Sequence, residues 1–478
     1  MVKANFILTK SDFIQYQNCP KSLWLKHNRP DVYPAGSSSS FLVKLADEGY
    51  EVEAYAKKAV SQYSDAGAYN FQRDFLTSDG LYARCDIVKS NPDGSVDIFE
   101  IKSSTSVKDD SSHSHLKDAA FQVVTAQRAG ERVGKVWIVH LNKGYVRSGD
   151  IDLNGLLTFA DETVRVKALL HETQAEINTA LGFLRRETID ENSCSCRYLS
   201  RANHCDSFDY FNPSIPKPSI YSLPRLFGEK LAAFVDEGRF DLASICPNEV
   251  STQQSLIVKA HNEGNPFVDK VEIRAFFAQL KYPLHFLDYE TFLSAVPIID
   301  GYGPQEQLPF QFSLHVLQED GRLEHSEYLA DRPMKPDDLV KALRDAIQPT
   351  GSVFAWNKGF ENTQNKNMGK QLPHAKDFLL DVVDRTVDLM DIFKTGYVDV
   401  GFDGSTSIKK VLPVLIPELS YQNLKVKDGG EAMEAWGKMI ALTESAEKNK
   451  MRQSLLEYCK LDTLAMVRIY QFIDRLMK

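Results

Sequence analysis

Leu284–Phe292 reads Leu-His-Phe-Leu-Asp-Tyr-Glu-Thr-Phe and follows Pro283. Aromatic and aliphatic residues dominate it, so a β-strand is the expected local structure. Successive strand side chains point to opposite faces, which sets Asp288 and Glu290 side by side on one of them. Two carboxylates so placed repel unless a cation sits between them, and hard oxygen ligands of this kind suit Mg2+ or Mn2+. An isolated Asp-x-Glu is more often the wet side of a strand. The rest of the chain has to decide between the two.

The totals leave the decision open. The chain has 478 residues, 43% hydrophobic and 25% charged, enough for two or three domains with full cores. No apolar run is long enough to span a membrane, and the N-terminus lacks a signal-peptide pattern, so a cytoplasmic protein is expected. Seven cysteines, an odd number, argue against a disulfide framework. A net charge of -9 excludes a wholly basic nucleic-acid coat, though not a local basic cleft beside metal-binding acids.

In the N-terminal half, Thr9 or Ser11 can cap a short helix that Pro20 ends or restarts, which leaves Cys19 at a helix boundary. Pro34–Ser40 reads as a flexible loop, and a helical pattern runs from Phe41 to Val60 with Val52, Tyr55 and Ala56 on its apolar face. Gly80–Val88 and Val96–Lys102 alternate around Asn91-Pro-Asp-Gly-Ser95, the pattern of a β-hairpin. On it Glu100 and Lys102 share a face, and Asp86 on the partner strand can reach the same spot. Acids that hold a metal, beside a lysine that orients water or offsets charge, are a toolkit for phosphodiester hydrolysis. A surface salt bridge across a hairpin is the plain alternative. Lys135–His140 reads as a further strand and Phe159–Arg186 as a helix.

The order Asp, hairpin, Glu-x-Lys resembles the PD-(D/E)xK nuclease superfamily. Gln122, in the helical stretch after the hairpin, stands where RecB-like members carry a glutamine. Glu53 falls where many of them have a metal-binding histidine, and Ala126 where a tyrosine is usual. The resemblance implies Asp86, Glu100 and Glu53 as metal ligands, with Lys102 and Gln122 as catalytic residues. Cys194, Cys196 and Cys205 crowd one short loop, and with Cys19 they make a four-thiolate set suited to an iron–sulfur cluster or zinc. RecB-like nucleases of the AddB and CRISPR-adaptation kind have a similar arrangement, which implies a 4Fe–4S cluster with zinc as the alternative. His204 is a substitute ligand, and Cys85, Cys246 and Cys459 read as ordinary thiols.

Prolines 213, 216, 218 and 224 mark a boundary, and helical patterning from Leu226 to Leu280 suggests a bridge. Beyond it come strands at Gln311–Val316 and Glu324–Leu329, then Val353-Phe-Ala-Trp-Asn-Lys-Gly-Phe-Glu361, a strand running into a helix. Arg385–Leu389 precedes another helix, and one starting at Ser407 is expected to be stopped by Pro413 and Pro417. The last helix, about Ser445–Met477, puts Tyr458 and Asp462 on one face. Asp-x-Glu, Asn-x-x-Phe-Glu and Tyr-x-x-x-Asp in this order resemble the DnaQ-like 3′–5′ exonucleases of the ribonuclease H-like fold, in the subgroup with tyrosine in its third motif (DEDDy). Glu361 replaces the usual aspartate. The resemblance implies that Asp288, Glu290, Glu361 and Asp462 bind metal and that Tyr458 orients the attacking water. Asn357 would fix the second-motif loop, and Ser407 and Lys409 touch a phosphate or begin a solvated helix.

The whole chain resembles bacterial proteins that join a RecB-like nuclease to a ribonuclease H-like exonuclease. The expectation is an α/β protein with a PD-(D/E)xK domain at 1–210, a helical linker at 211–280 and a ribonuclease H-like domain at 281–478. It would be a metal-dependent DNA nuclease with two active sites, acting on ends or single strands in repair or antiphage defence. RNA stays open as a substrate. The rival is a nucleic-acid-binding or assembly factor with one or both sites inactive. Trp24, Tyr82, Tyr289 and Trp356 are either base-stacking or core aromatics.

Overall fold

The computed structural model describes residues 6–34, 40–62, 68–110, 114–443 and 445–478. Of the loop expected at Pro34–Ser40, residues 35–39 lie outside the described residues. The chain is mixed α/β and divides into two units, Met1–Ser214 with Ser294–Glu306, and Ile215–Leu293 with Gln307–Lys478.

The first unit is built on a six-stranded sheet of β1 (Leu8–Thr9), β2 (Tyr69–Leu76), β3 (Leu81–Ser90), β4 (Val96–Lys102), β5 (Val133–Leu141) and β6 (Leu157–Asp161), ordered β1-β3-β4-β5-β6 with β2 on β3. The expected hairpin is β3 and β4. Its turn closes through Asn91 N–H to Ser95 O at 2.8 Å, with Gly94 at φ +78°. Antiparallel register at Ile87↔Phe99 brings Asp86 opposite Glu100. β1 joins β3 in parallel, Leu8↔Leu81, and Thr9 caps the helix Lys10–Asn18 in a reciprocal capping box with Asp12. Lys10 is therefore delivered to the sheet by a strand of two residues. The helix His115–Arg128 covers the sheet with Leu116, Ala119, Ala120, Val123 and Ala126, packed on Cys85, Val88, Ile98 and Ile138.

One expectation needs correction here. Phe159 does not begin a helix: Leu157–Asp161 pairs antiparallel with β5 from Leu141↔Leu157 to Trp137↔Asp161, and the helix runs Thr163–Leu184. Antiparallel backbone pairing of the whole of β6 with β5 outweighs the weak helical preference of Leu-Thr-Phe-Ala-Asp.

The second unit holds β7 (Phe267–Val268), β8 (Leu284–Leu293), β9 (Gln307–Leu317), β10 (Leu323–Leu329), β11 (Val353–Ala355), β12 (Thr386–Asp388) and β13 (Tyr397–Val398). Five form a sheet ordered β10-β9-β8-β11-β12, antiparallel from β8 to β10 and parallel from β8 to β12. The remaining pair, β7 with β13, is antiparallel, so the stretch expected as a bridge contributes backbone pairing to this unit. That stretch is also less helical than its pattern suggests, with Gly228–Asp236, Thr252–Glu263 and Lys270–Phe277 as its three α-helices. The long helix Ala446–Met477 lies against the sheet. Gln311 Nε2 donates to Leu455 O at 2.9 Å, and Ser313 and Thr463 share a 2.8 Å hydroxyl bond. Because Ser313 pairs with Asp288 in the register of β9 and β8, that bond sets the Asp462 turn of the helix over Asp288. Pro413 does not stop its helix, which continues from Ile408 to Leu415 and ends just before Pro417; the carbonyl of Lys409 is left without its helical partner.

Trp24 and Tyr289 are core. Trp24 Nε1 donates to Arg186 O at 3.0 Å, and Tyr289 Oη to Asn365 Oδ1 at 2.9 Å. Trp356, half-buried, donates to Thr406 O at 2.9 Å, and Tyr82 to Asp74 Oδ1 at 2.5 Å.

Candidate metal centres

In the second unit, Asp288 and Glu290 leave β8 on one face, as alternation requires, and Asp462 comes to them from the C-terminal helix. All are buried or nearly so. Ligand atoms of Asp288, Glu290 and Cys459 lie within 4.8 Å of one another. At that distance two ionised carboxylates repel by roughly 3.5 kcal/mol at an effective dielectric of about 20, a sizeable part of a domain's stability. The nest answers by holding protons. Burial first, then the Asp462 charge, pushes Asp288 and Glu290 well above the usual carboxylate range. Glu361, in the first turn of helix Gly359–Gln371, is pushed up to about 8 by burial and by Asp388 and Asp462. Asp462 is raised to about 6 by burial, against hydrogen bonds from Tyr421 and Tyr458 and the charge of Lys409. Oε2 of Glu361 has no hydrogen-bond partner.

Three residues that the motifs do not include complete this nest. Tyr421 donates to Asp462 Oδ1 at 2.6 Å. Cys459 sits with Sγ 3.5 Å from Asp288 Oδ2, so it is not an ordinary core thiol. Asp388 accepts from the backbone N–H groups of Asn357 and Lys358 at 3.0 and 3.1 Å, which pins the turn that presents Glu361, with Asn357 at φ +69°. Lys409 places its ammonium 5.5 and 5.7 Å from the ring centres of Tyr458 and Tyr421. Nothing in the spacing announces Tyr421 or Asp388; Cys459 is flagged only by standing next to Tyr458.

The first unit's nest is arranged differently. Glu100 Oε1 accepts from Lys10 Nζ at 2.6 Å and Lys102 Nζ at 2.8 Å, and its Oε2 from Gln122 Nε2 at 2.6 Å. Against the penalty of burial, the two ammonium groups hold the Glu100 carboxyl well below the usual range. Lys102, raised by Glu100 and Asp118 in spite of burial, also donates to Asp118 Oδ2 at 2.5 Å. Asp86 accepts from Ile101 N–H at 2.8 Å and is raised to about 7 by burial, by Glu100 and by Glu53. Glu53 is buried on helix Ser40–Val60, bonded to Gln72 and to Lys57 at 2.5 Å. Sequence reasoning missed Asp118, although its place one helical turn before Gln122 is a signal that could have found it. Lys10 was not, because only the pairing of β1 with β3 brings it there.

Cys19, Cys194, Cys196 and Cys205 come together, all four sulfurs within 4.8 Å of one another and Cys194 Sγ 4.0 Å from Cys205 Sγ. Mutual hydrogen bonding pulls Cys194 and Cys196 below the usual thiol range and pushes Cys19 and Cys205 above it. Asn212 Nδ2 lies 3.5 Å from Cys194 Sγ. His204 instead approaches Leu199 O at 3.1 Å and stacks on Phe208. Four thiols so placed can bind a metal. Among the described residues, no helix is long and apolar enough to cross a membrane.

These features define a mixed α/β protein with two carboxylate nests and a four-cysteine cluster. Residues 285–407 match a family model described as a domain of unknown function, DUF2779. The chain is 28% identical over 252 residues to the Mycoplasma genitalium "Uncharacterized protein MG366", a match covering 48% of this chain and 38% of that protein. Its homolog from Mycoplasma pneumoniae is 26% identical over 241 residues, covering 46% and 36%. The matches thus span little more than a third of those relatives. A solved structure titled "Crystal structure of SSO0001" aligns at 13% identity and a TM-score of 0.23, over 43% of this chain and 90% of that one.

Proposed function

We propose that this chain is a divalent-cation-dependent nuclease acting on DNA ends or single strands, with a 3′–5′ exonuclease site in the second unit. The observation that carries the reading is the meeting of Asp288, Glu290, Glu361 and Asp462 in one place, where burial before all else raises each carboxyl above its usual range. A strand order of 3-2-1-4-5 within the sheet, antiparallel then parallel, supports the ribonuclease H-like assignment. The donor set fits Mg2+ or Mn2+, since all four side chains offer hard oxygens. Such ions supply Lewis-acid activation and neutralise charge on the phosphate. The chain's own part is positional. Tyr458, pushed up by burial and by Asp462, stays protonated and so orients water as a hydrogen-bond donor rather than as a base. Lys409 offers a cation for the phosphate.

In the first unit Asp86, Glu100 and Glu53 would hold a second centre, with Gln122 fixing Glu100 and Lys102 facing the substrate. A second reading, nucleic-acid holding without cutting, is favoured there by one observation. Glu100 is already neutralised by Lys10 and Lys102, and among the described residues Asp86 and Glu100 belong to no trio of close ligand atoms.

The cysteine set fits either zinc or a 4Fe–4S cluster by donor type. Its spacing favours zinc: tetrahedral Zn–S bonds of about 2.3 Å put sulfurs about 3.8 Å apart. A four-iron cube needs them further apart, at its outer corners.

The test is end-labelled single-stranded and duplex DNA, with an RNA control, incubated with the purified protein and Mn2+. Asp462→Asn should abolish stepwise shortening from the 3′ end, and Glu100→Gln any remaining cleavage. Intact substrate in every lane would leave the binding-factor reading.

A further inference from the structure

Cys459 is fully buried on the C-terminal helix, one residue past Tyr458 and three before Asp462. Its thiol approaches Asp288 Oδ2 at 3.5 Å, and its sulfur lies within 4.8 Å of ligand oxygens of both Asp288 and Glu290. Two further atoms point to a missing ligand. Oε2 of Glu361, on a side chain 3% exposed, has no hydrogen-bond partner, and its charge acts on both carboxylates of β8. Oε1 of Gln311, fully buried and opposite Glu290 in the β8–β9 register, is likewise without a partner. Hard ions gain little from sulfur, whereas zinc-like ions bind thiolate strongly and accept carboxylate beside it.

We propose that Cys459 is a metal ligand, and that with Asp288 and Glu290 it forms a site for a borderline-soft divalent cation of the Zn2+ class, competing with Mg2+ or Mn2+ for the same two carboxylates. Binding forms a metal–sulfur bond and releases the thiol proton to solvent. Three protein ligands leave an open position, yet the ion withholds Asp288 and Glu290 from the hard-cation pair, so the site makes the unit sensitive to zinc. This rests on the reading of the nest as a cation site.

Cd2+ is the probe, because its bond to thiolate absorbs in the ultraviolet whereas Zn2+ is silent. The full chain as purified, in a Cys246→Ser background that removes the exposed thiol, is titrated with Cd2+ alongside Cys459→Ser and Cys459→Ala. Mn2+ binding to each protein is followed by electron paramagnetic resonance. Cd2+ also fills the four-cysteine cluster, so the expected result is a further absorption rise above that constant contribution, which excess Mn2+ reverses and both variants lose, with Cd2+ affinity at this site down by roughly 10–100-fold and Mn2+ affinity little changed. The alanine variant and near-ultraviolet circular dichroism cover a serine variant that fails to fold. Equal Cd2+ spectra in parent and variants, with Mn2+ bound, would overturn the sulfur ligand and spare the nest. Binding of neither ion would overturn both.

Discussion

Glu100 and Glu290 are both buried, yet their surroundings move them in opposite directions. Two ammonium groups hold Glu100 below the usual carboxylate range, while burial and then the charge of Asp462 push Glu290 above it. The consequences for stability differ in sign. Glu100 binds fewer protons folded than unfolded, so its stabilisation is complete above the unfolded value of about 4.3 and is lost as pH falls. Asp462, raised to about 6, and Glu361, raised to about 8, hold protons that the unfolded chain has released. They therefore weaken the metal-free fold progressively as pH climbs from about 4 towards those values. A bound divalent ion replaces the protons, so Mn2+ should raise the unfolding temperature more at pH 8 than at pH 5.5. Equal shifts at the two pH values, by calorimetry, would contradict this. Lys10→Met leaves Glu100 with one ammonium partner. Because Lys10 is 30% exposed at the side chain, the expected loss is about 1–3 kcal/mol rather than that of a fully buried pair, read from the urea midpoint.

Short elements carry the site residues, and their placement separates what the sequence discloses from what it does not. The Asn91–Ser95 turn and the alternation around it make the β3–β4 hairpin readable, and with it Asp86, Glu100 and Lys102. Tyr458 and Asp462 are readable because four residues make one helical turn. By contrast, β1 is two residues long and has no pattern of its own. It reaches β3 because Gly80, at φ +98°, lets Phe6 O pass where a Cβ would stand 2.2 Å away, and because Leu8 N–H bonds Gly80 O at 2.8 Å. Gly80→Ala is expected to displace β1 and the helix that carries Lys10, at a cost of about 1–3 kcal/mol. An unchanged denaturation midpoint would remove that account of how Lys10 is placed. β6 shows the same dependence in reverse: Leu-Thr-Phe-Ala-Asp is ambiguous alone, and only pairing with β5 makes it a strand. The cysteine cluster ties the helices Lys10–Asn18 and Pro20–Asn28 to the loop of Cys194–Cys205. With a metal bound among these thiols, as proposed, its chelation should speed amide hydrogen exchange across residues 10–28 and 194–211 while leaving β8 and β9 protected.

Across the molecule, each unit holds a nest of its own, so inactivating one should leave the other's chemistry in place. Glu100→Gln and Asp462→Asn are expected to remove different products, with independent effects in the double variant. The two mixed sheets were foreshadowed by the alternation of strand and helix patterns, and the carboxylates by their spacing. Tyr421, Asp388 and the thiol of Cys459 were not, since side chains distant in sequence meet only once the sheet and the C-terminal helix are packed. The central claim is that the carboxyls of the second unit are short of positive charge because divalent cations belong among them. Anomalous diffraction from crystals soaked in Mn2+ at pH 8 tests it most directly. Peaks between Asp288, Glu290, Glu361 and Asp462 are the expected result. A map with Mn2+ elsewhere on the protein and none among these four side chains would contradict it.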